Sequence, residues 1–367
     1  MASNSVSIAS NRLGKGTGVV AILNASAGNM TPALGVAIRS ALPDAEVVES
    51  RSVEEAREAV RRLARTRPRL LVSGGGDGAV TALINSWRET GVELPPIALL
   101  PLGTGNAWAH AVGAPALSDL VLKLKTLPWP LPMRRFNLLE VCGVLCPFAG
   151  GGWDASILEG YGRFRDGRFS KFLPRWLRRG VAGYLVSLAG FSLHELTHPH
   201  RARVKITAPP PSLTLAAGQQ LEHVLPSTLY EGSFSVVAMG TEPEYGFGFK
   251  AFPFANAAPG RLNLRVYDRS LPFAAADAVR LWRGLHPIQG MRDFFVSEAR
   301  LDFDRPVRFQ VAGDSFGLRT SVAVRLVRDA VELVDWSSLF DTSQQAPTQF
   351  LESPRAPGKK APHLRSV

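Results

Sequence analysis

A chain of 367 residues, 46% hydrophobic and 20% charged, is long enough for two domains with sizeable cores and has an ordinary globular composition. Its net charge of +11 favours anionic partners: nucleic acid, acidic lipid headgroups or nucleotides. No run of about 18 apolar residues suits a membrane-spanning helix, and the start lacks a basic segment followed by the apolar stretch of a secretory signal. The two cysteines, Cys142 and Cys146, read as reduced core residues on neighbouring strand positions or a turn, which excludes a disulfide framework and a cysteine metal site. A cytoplasmic address is the expectation.

Residues 1–15 read as a flexible polar leader. From Gly18 the pattern alternates strand and helix. Gly18–Asn24 is a buried strand, and the loop Ala25–Asn29 leads to a helix with Thr31 as N-cap and Pro32 in the first turn. Ala45–Ser50 is the next strand. Ser52 and Glu55 have capping-box spacing, and Val53, Ala56, Val60, Leu63 and Ala64 form one apolar stripe on the helix that follows. Leu70–Ser73 runs into Gly74-Gly-Gly-Asp-Gly78, with a helix from Ala79 to about Arg88. The strand 96–100 runs into Pro101-Leu-Gly-Thr-Gly-Asn106, with a helix over Asn106–Val112 stopped by Gly113. Such alternation predicts a parallel sheet with ligand loops at the carboxyl ends of its strands.

Two strand-to-glycine junctions this close suggest a crevice that handles phosphate. Glycines let the backbone approach phosphate oxygens, and the helix starts beyond them offer N–H donors. Asp77, among the glycines, either meets a metal ion or a hydroxyl, or caps the helix from Ala79.

Leu127-Pro-Trp-Pro-Leu-Pro132 reads as a hinge. Strands dominate beyond it: Phe136–Val141, Phe234–Met239, Arg261–Tyr267, Ala299–Phe303, Val307–Val311 and Ser321–Leu326. The reading is an α/β nucleotide-binding domain over 16–130 with a parallel sheet, followed by a β-sandwich domain over 133–340. Helical insertions are expected near 172–195 and 273–285, a long irregular connection over 198–230, and a disordered tail over 341–367.

Residues 161–179 interleave aromatics with Arg163, Arg165, Arg168, Lys171, Arg175, Arg178 and Arg179 against a single acid, Asp166. Such a stretch suits an anionic bilayer surface, or forms a solvated basic helix face packed on the sandwich. No nucleic-acid-binding module accompanies it, so no nucleic-acid partner is expected. The histidines at 194, 198 and 200 read as exposed loop residues.

Six ordered segments carry a family resemblance. Ser73-Gly-Gly-Gly-Asp-Gly78 resembles the glycine-aspartate loop of the diacylglycerol kinase catalytic family, which includes sphingosine, ceramide and bacterial lipid kinases. Pro101–Asn106 resembles its second nucleotide loop, and Asn24-Ala-Ser-Ala-Gly28 its first. Gly152-Trp-Asp-Ala155 resembles a Gly-Phe-Asp-Ala segment, and Phe252–Gly260 with Arg261-Leu-Asn-Leu264 the entry to a late strand. Gln310-Val-Ala-Gly-Asp314 sits where the family has an Asp-Gly-Glu turn. Order and spacing hold from about residue 18 to 335.

The resemblance implies a two-domain lipid-kinase fold, ATP as phosphate donor, Mg²⁺, and the primary hydroxyl of a membrane lipid as acceptor. Asn24, Ser26, Gly28, Gly75, Gly76, Gly78, Thr104 and Asn106 would then hold the nucleotide, with Ser50 at a nucleotide-contacting position. Asp77 and Asp314 would be the catalytic carboxylates, Asp314 meeting the metal, and Asp154 would contact the lipid headgroup. Asp154 as a solvated loop residue and Asp314 as plain turn chemistry are the structural alternatives. The enzyme would sit on the inner face of the cell membrane.

This chain departs from the pattern at Ala79, Ala82, Ala107 and Ala312, where relatives carry Thr, an acid, Asp and Asp. With Ala312 unable to act as base, proton abstraction falls to Asp77. The departures tilt the acceptor toward a ceramide or sphingoid base over diacylglycerol. They also leave open an inactive lipid- or nucleotide-binding relative. A soluble kinase of the NAD-kinase type is disfavoured by the Pro101–Asn106 loop and the basic-aromatic stretch.

Overall fold

The computed structural model describes residues 18–103, 106–166, 202–216, 220–224, 227–245 and 248–340. The leader, the tail, Thr104, the insertion near 172–195, the three histidines and the basic stretch from 167 onward lie outside them.

The first region alternates as the pattern predicts. Its elements are β1 (Val19–Asn24), α1 (Pro32–Ala41), β2 (Glu46–Ser50), α2 (Val53–Ala64), β3 (Leu70–Gly75), α3 (Asp77–Glu89), β4 (Ile97–Pro101), α4 (Ala107–Ala111) and α5 (Leu117–Leu124). β2, β1, β3 and β4 pair in that order, all parallel. β3 is buried along its whole length, as a strand covered on both faces must be. Thr31 caps α1 by accepting from the Leu34 N–H at 3.2 Å. Ser52 Oγ accepts from the Glu55 N–H, but the Glu55 carboxylate reaches back to the Arg51 N–H rather than to that of Ser52. The capping box is therefore drawn one residue wide.

The second region is antiparallel. It contains β5 (Met133–Val141), β6 (Val144–Cys146), β7 (Phe148–Gly152), α6 (Trp153–Asp166), β8 (Ala202–Thr207), β9 (Ser212–Leu215), β10 (Leu221–Val224), β11 (Thr228–Phe234), β12 (Val236–Gly240) and β13 (Leu262–Tyr267). It closes with α7 (Leu271–Ala276), α8 (Ala278–Arg283), β14 (Met291–Val296), β15 (Glu298–Val311), β16 (Asp314–Val334) and α9 (Trp336–Phe340). The strands read at 299–303 and 307–311 are one strand, β15, with a bulge between Asp302 and Val307.

The connection expected over 198–230 is instead four strands. Ala202, Val204 and Ile206 are buried while Arg203 and Lys205 face out, the alternation of a half-buried strand. Pro209-Pro-Pro211 occupies the turn after β8 and interrupts no ladder. A second correction concerns Cys142: it is exposed, at positive φ in the β5–β6 turn, while Cys146 alone is buried. Burial pushes the Cys146 thiol well above its ordinary pKa.

β16 belongs to both regions. Its first half pairs with β15, its second with β5, and Leu333 pairs in parallel with Ile97 of β4. Leu333, Val334 and Trp336 pack in the same apolar core as β1, β3 and β4, and the Trp336 indole N–H donates to the Leu99 carbonyl at 3.1 Å. A separate core of Val204, Ile206, Val237, Leu264, Leu301 and Phe309 fills the antiparallel region. There Arg265 and Asp293, both almost fully buried, form an ion pair at 2.7 Å. Asn263 Nδ2 donates to the same carboxylate at 3.0 Å.

Candidate functional site

Three loops leave the carboxyl ends of β1, β3 and β4, and backbone hydrogen bonds lock them together. The Asn29 N–H donates to Leu102 O at 3.0 Å, joining the first loop to the third. The Leu102 and Gly103 N–H groups both donate to Gly75 O, joining the third to the second. Gly74 makes this closeness possible: a Cβ there would run into the side chains of Leu23 and Leu102. Within the first loop Asn24 Oδ1 accepts from the Ser26 N–H at 2.9 Å, an Asx turn, and Ser26 Oγ donates to Arg51 O. Ser50 is buried with its hydroxyl directed at Leu23 O, so it steadies the loop base. Gly78 is exposed, with open space around it.

Asp77 begins α3 rather than preceding it, since the helix starts two residues earlier than expected. The N-cap position is Gly76, and no side chain caps the first turn. Asp77 instead reaches across to the next loop, where Oδ2 accepts from the Ala107 N–H at 3.0 Å and Oδ1 from the Trp108 N–H at 3.1 Å. It thus caps α4, whose own N-cap residue, Asn106, makes no such bond. Burial raises the Asp77 pKa, and the two amides and His110 offset part of that rise. Each carboxylate oxygen keeps a second lone pair. Close by, Ser73 Oγ and Asn106 Oδ1 are buried without a partner among the described residues; such atoms call for a ligand or water.

A second cluster lies in the antiparallel region. Asp154 opens α6, and its Oδ2 accepts from Tyr245 Oη at 3.0 Å and from Gln310 Nε2 at 3.2 Å. Gln310, fully buried, also donates to Tyr245 Oη and accepts from the Gly313 N–H at 2.9 Å. The Asp154 carboxyl is therefore half-buried and hydrogen-bonded, not a solvated loop group, and burial pushes its pKa up against the pull of the first-turn amides, Tyr245 and Gln310. Glycines make room for it: a Cβ on Gly150 would strike Asp154 Oδ2, and one on Gly152, at φ +100°, would strike Ser235 O. Gln310 fixes the two-residue turn Ala312-Gly313, both at positive φ, after which comes the exposed Asp314.

Between the regions opens a cleft of about 1060 Å³. Ala107, Trp108 and His110 of α4 line one wall, Arg134 and Phe136 another, and Glu242, Lys250, Asn256 and Arg283 the far side. Glu242 is a carboxyl that the sequence reading missed. It is half-buried, with no hydrogen-bond or ion-pair partner among the described residues. Burial raises its pKa to about 7 against the opposing pull of Arg134. The missed signal was a pair of acids flanking Pro243 directly after an apolar strand. Tyr245 was missed as well, because its partners lie 91 and 65 residues away.

Among the described residues no three His, Cys, Asp or Glu side chains gather into a metal cage. Magnesium carried by a nucleotide needs only one or two carboxylates besides phosphate oxygens and water. Asp77, with lone pairs to spare, and the exposed Asp314 fit that requirement.

Comparison with known proteins bears on the fold that carries these loops. Residues 18–128 match the diacylglycerol kinase catalytic domain. Two curated relatives, each called "Probable lipid kinase YegS", from Shigella flexneri and Escherichia coli (strain SMS-3-5 / SECEC), are 25% identical over 207 residues. The match takes in 55% of this chain and 58% of theirs. The crystal structure of a diacylglycerol kinase from Bacillus anthracis str. Sterne superposes with a TM-score of 0.58, covering 88% of this chain and 97% of that one. Sequence identity is 16%, so this likeness is one of fold, and it bears out the two-part architecture.

Proposed function

We propose that this chain, whose residues 18–128 match the diacylglycerol kinase catalytic domain, is an ATP-dependent lipid kinase. It transfers the γ-phosphate to the primary hydroxyl of a membrane lipid: a ceramide, a sphingoid base or diacylglycerol. The observation that carries this reading is the backbone lock between the three glycine-bearing loops, with Leu102 and Gly103 donating to Gly75 O and Asn29 donating to Leu102 O. Phosphoryl transfer asks for positioning and charge neutralisation more than for covalent chemistry by the protein. A rigid floor of loops, backed by the uncapped first turn of α3, answers the first need.

Each carboxylate takes a role from its surroundings. Asp77 sets α4 and the third loop in place through two amides, and its remaining lone pairs face the metal or receive the acceptor's proton. Magnesium, when bound with the nucleotide, neutralises phosphate charge. Asp314 offers it a second carboxylate from the hairpin tip. Asp154 acts on the headgroup through Tyr245 and Gln310, which both bind its Oδ2. The net charge of +11 suits attachment to an anionic membrane surface, with no nucleic-acid partner.

Incubation of the purified protein with labelled ATP and a panel of lipid alcohols, read by mass spectrometry, tests the proposal. A phosphorylated lipid is expected, and its identity names the acceptor. ATP binding with no transfer to any lipid would favour the binding-only relative that Ala79, Ala82, Ala107 and Ala312 suggest. Absence of both overturns the reading.

A further inference from the structure

Among the described residues nine large apolar side chains stand exposed, and four of them fall between 273 and 285: Phe273, Val279, Trp282 and Leu285. They belong to α7, α8 and the turn that follows. Neither helix buries a single residue. Amphipathic helices in water usually bury one face; here the inward stripe of Leu271, Ala274, Asp277 and Leu281 is only half-buried.

The hairpin is nevertheless fixed in place. The Lys250 N–H donates to Trp282 O at 3.1 Å, and Phe249 stacks on the Trp282 ring at 5.5 Å. Ser235 Oγ holds Arg269 O at 2.7 Å at its base. Gly284, in the left-handed region, ends α8 and packs against Pro253 and Lys250. A concentrated apolar surface held this firmly marks a binding face rather than a fraying end.

Its charge tells what it binds. Arg269, Arg280 and Arg283 lie along the hairpin with Lys250 beside it, against Asp277 and Asp268. Arg269 lies over the Phe273 ring at 5.1 Å. Lys250, Pro253, Arg283 and Gly284 also line the cleft between the two regions. Aromatic and aliphatic prongs ringed by guanidinium groups match the boundary of an anionic bilayer, where rings enter the headgroup layer and cations meet lipid phosphates.

We infer that the α7–α8 hairpin docks on an anionic lipid bilayer and sets the rim of the interdomain cleft against the membrane surface. The docking follows from the hairpin alone. That the cleft then receives a lipid headgroup rests on the lipid-kinase reading. A lipid held this way need not leave the bilayer completely: its headgroup rises into the cleft past Lys250 and Arg283 while its chains remain below.

Co-sedimentation with phosphatidylcholine vesicles, with and without phosphatidylglycerol, tests the docking. The parent protein is expected to partition at least tenfold better onto the anionic vesicles, and 0.5 M salt should weaken that preference. Val279→Asp with Leu285→Asp, and separately Arg269→Glu with Arg280→Glu, should each lower partitioning about tenfold without changing the thermal midpoint. Both variants keep the basic stretch at 161–179, so undiminished binding by the two of them overturns the inference. Indifference of the parent to lipid charge does so too, as does light scattering that shows a dimer dissolved by the aspartates. Transfer to a short-chain acceptor dissolved below its micelle concentration separates the two readings. Failure there by the parent, with vesicle binding intact, removes the kinase and leaves the docking surface.

Discussion

The loop floor of the parallel region and the side-chain cluster of the antiparallel region are held by different atoms. In the floor, main-chain N–H and carbonyl groups bind one another across three loops, with one side chain, Asp77, as a tie. In the cluster, side chains of Asp154, Tyr245 and Gln310 bind one another and only then a backbone amide. Backbone locks tolerate changes of side chain but not of glycine. Side-chain networks tolerate neither, because each lost member leaves a buried partner unsatisfied.

That difference should show in stability. Asp293→Ala leaves Arg265 charged, buried and without a counter-ion, and is expected to cost about 3–5 kcal/mol by urea unfolding. Glu242 comes next. Its raised pKa means the folded chain holds a proton that the unfolded chain releases, so this stabilisation is complete below about pH 4.5 and disappears as pH rises through about 7. The loss is at most about 3 kcal/mol, and Glu242→Gln should flatten that part of the stability profile. Asp77→Ala should cost less, about 1–3 kcal/mol, because water replaces the carboxylate at the α4 amides; in the same variant transfer should vanish. The Asp293 carboxylate, like the Asp154 cluster, is held by side chains of the antiparallel region, so a larger loss for Asp77 than for Asp293 would break the comparison. The smallest effect is a gain: Ala312 adopts a φ of +51°, and Ala312→Asn should stabilise by about 1 kcal/mol, since asparagine tolerates that conformation better. An unchanged urea midpoint would show the turn to be unstrained.

The same contrast explains what could be read beforehand. Thr31, Ser52, the stripe on α2 and the three loops were legible because each depends on residues a few positions apart. Asp77 was legible as important but not as the cap of α4, whose amides lie 30 and 31 residues away. β8 to β11 were not legible because three consecutive prolines, which cannot donate to a ladder, fall in the turn between short strands. Glu242 stayed hidden because its surroundings include Arg134, 108 residues away in sequence, which no local pattern encodes.

One feature governs how far the molecule can be taken apart. Leu333, Val334 and Trp336 complete the apolar interior against β4, and Ser337 donates its N–H to Val112 O at 3.1 Å. A fragment ending at residue 128 would bare the edge of β4 and the cavity around Leu99. The stretch that matches the family model, once excised, should therefore be molten or insoluble. Adding residues 330–340 back as a separate peptide should restore cooperative melting.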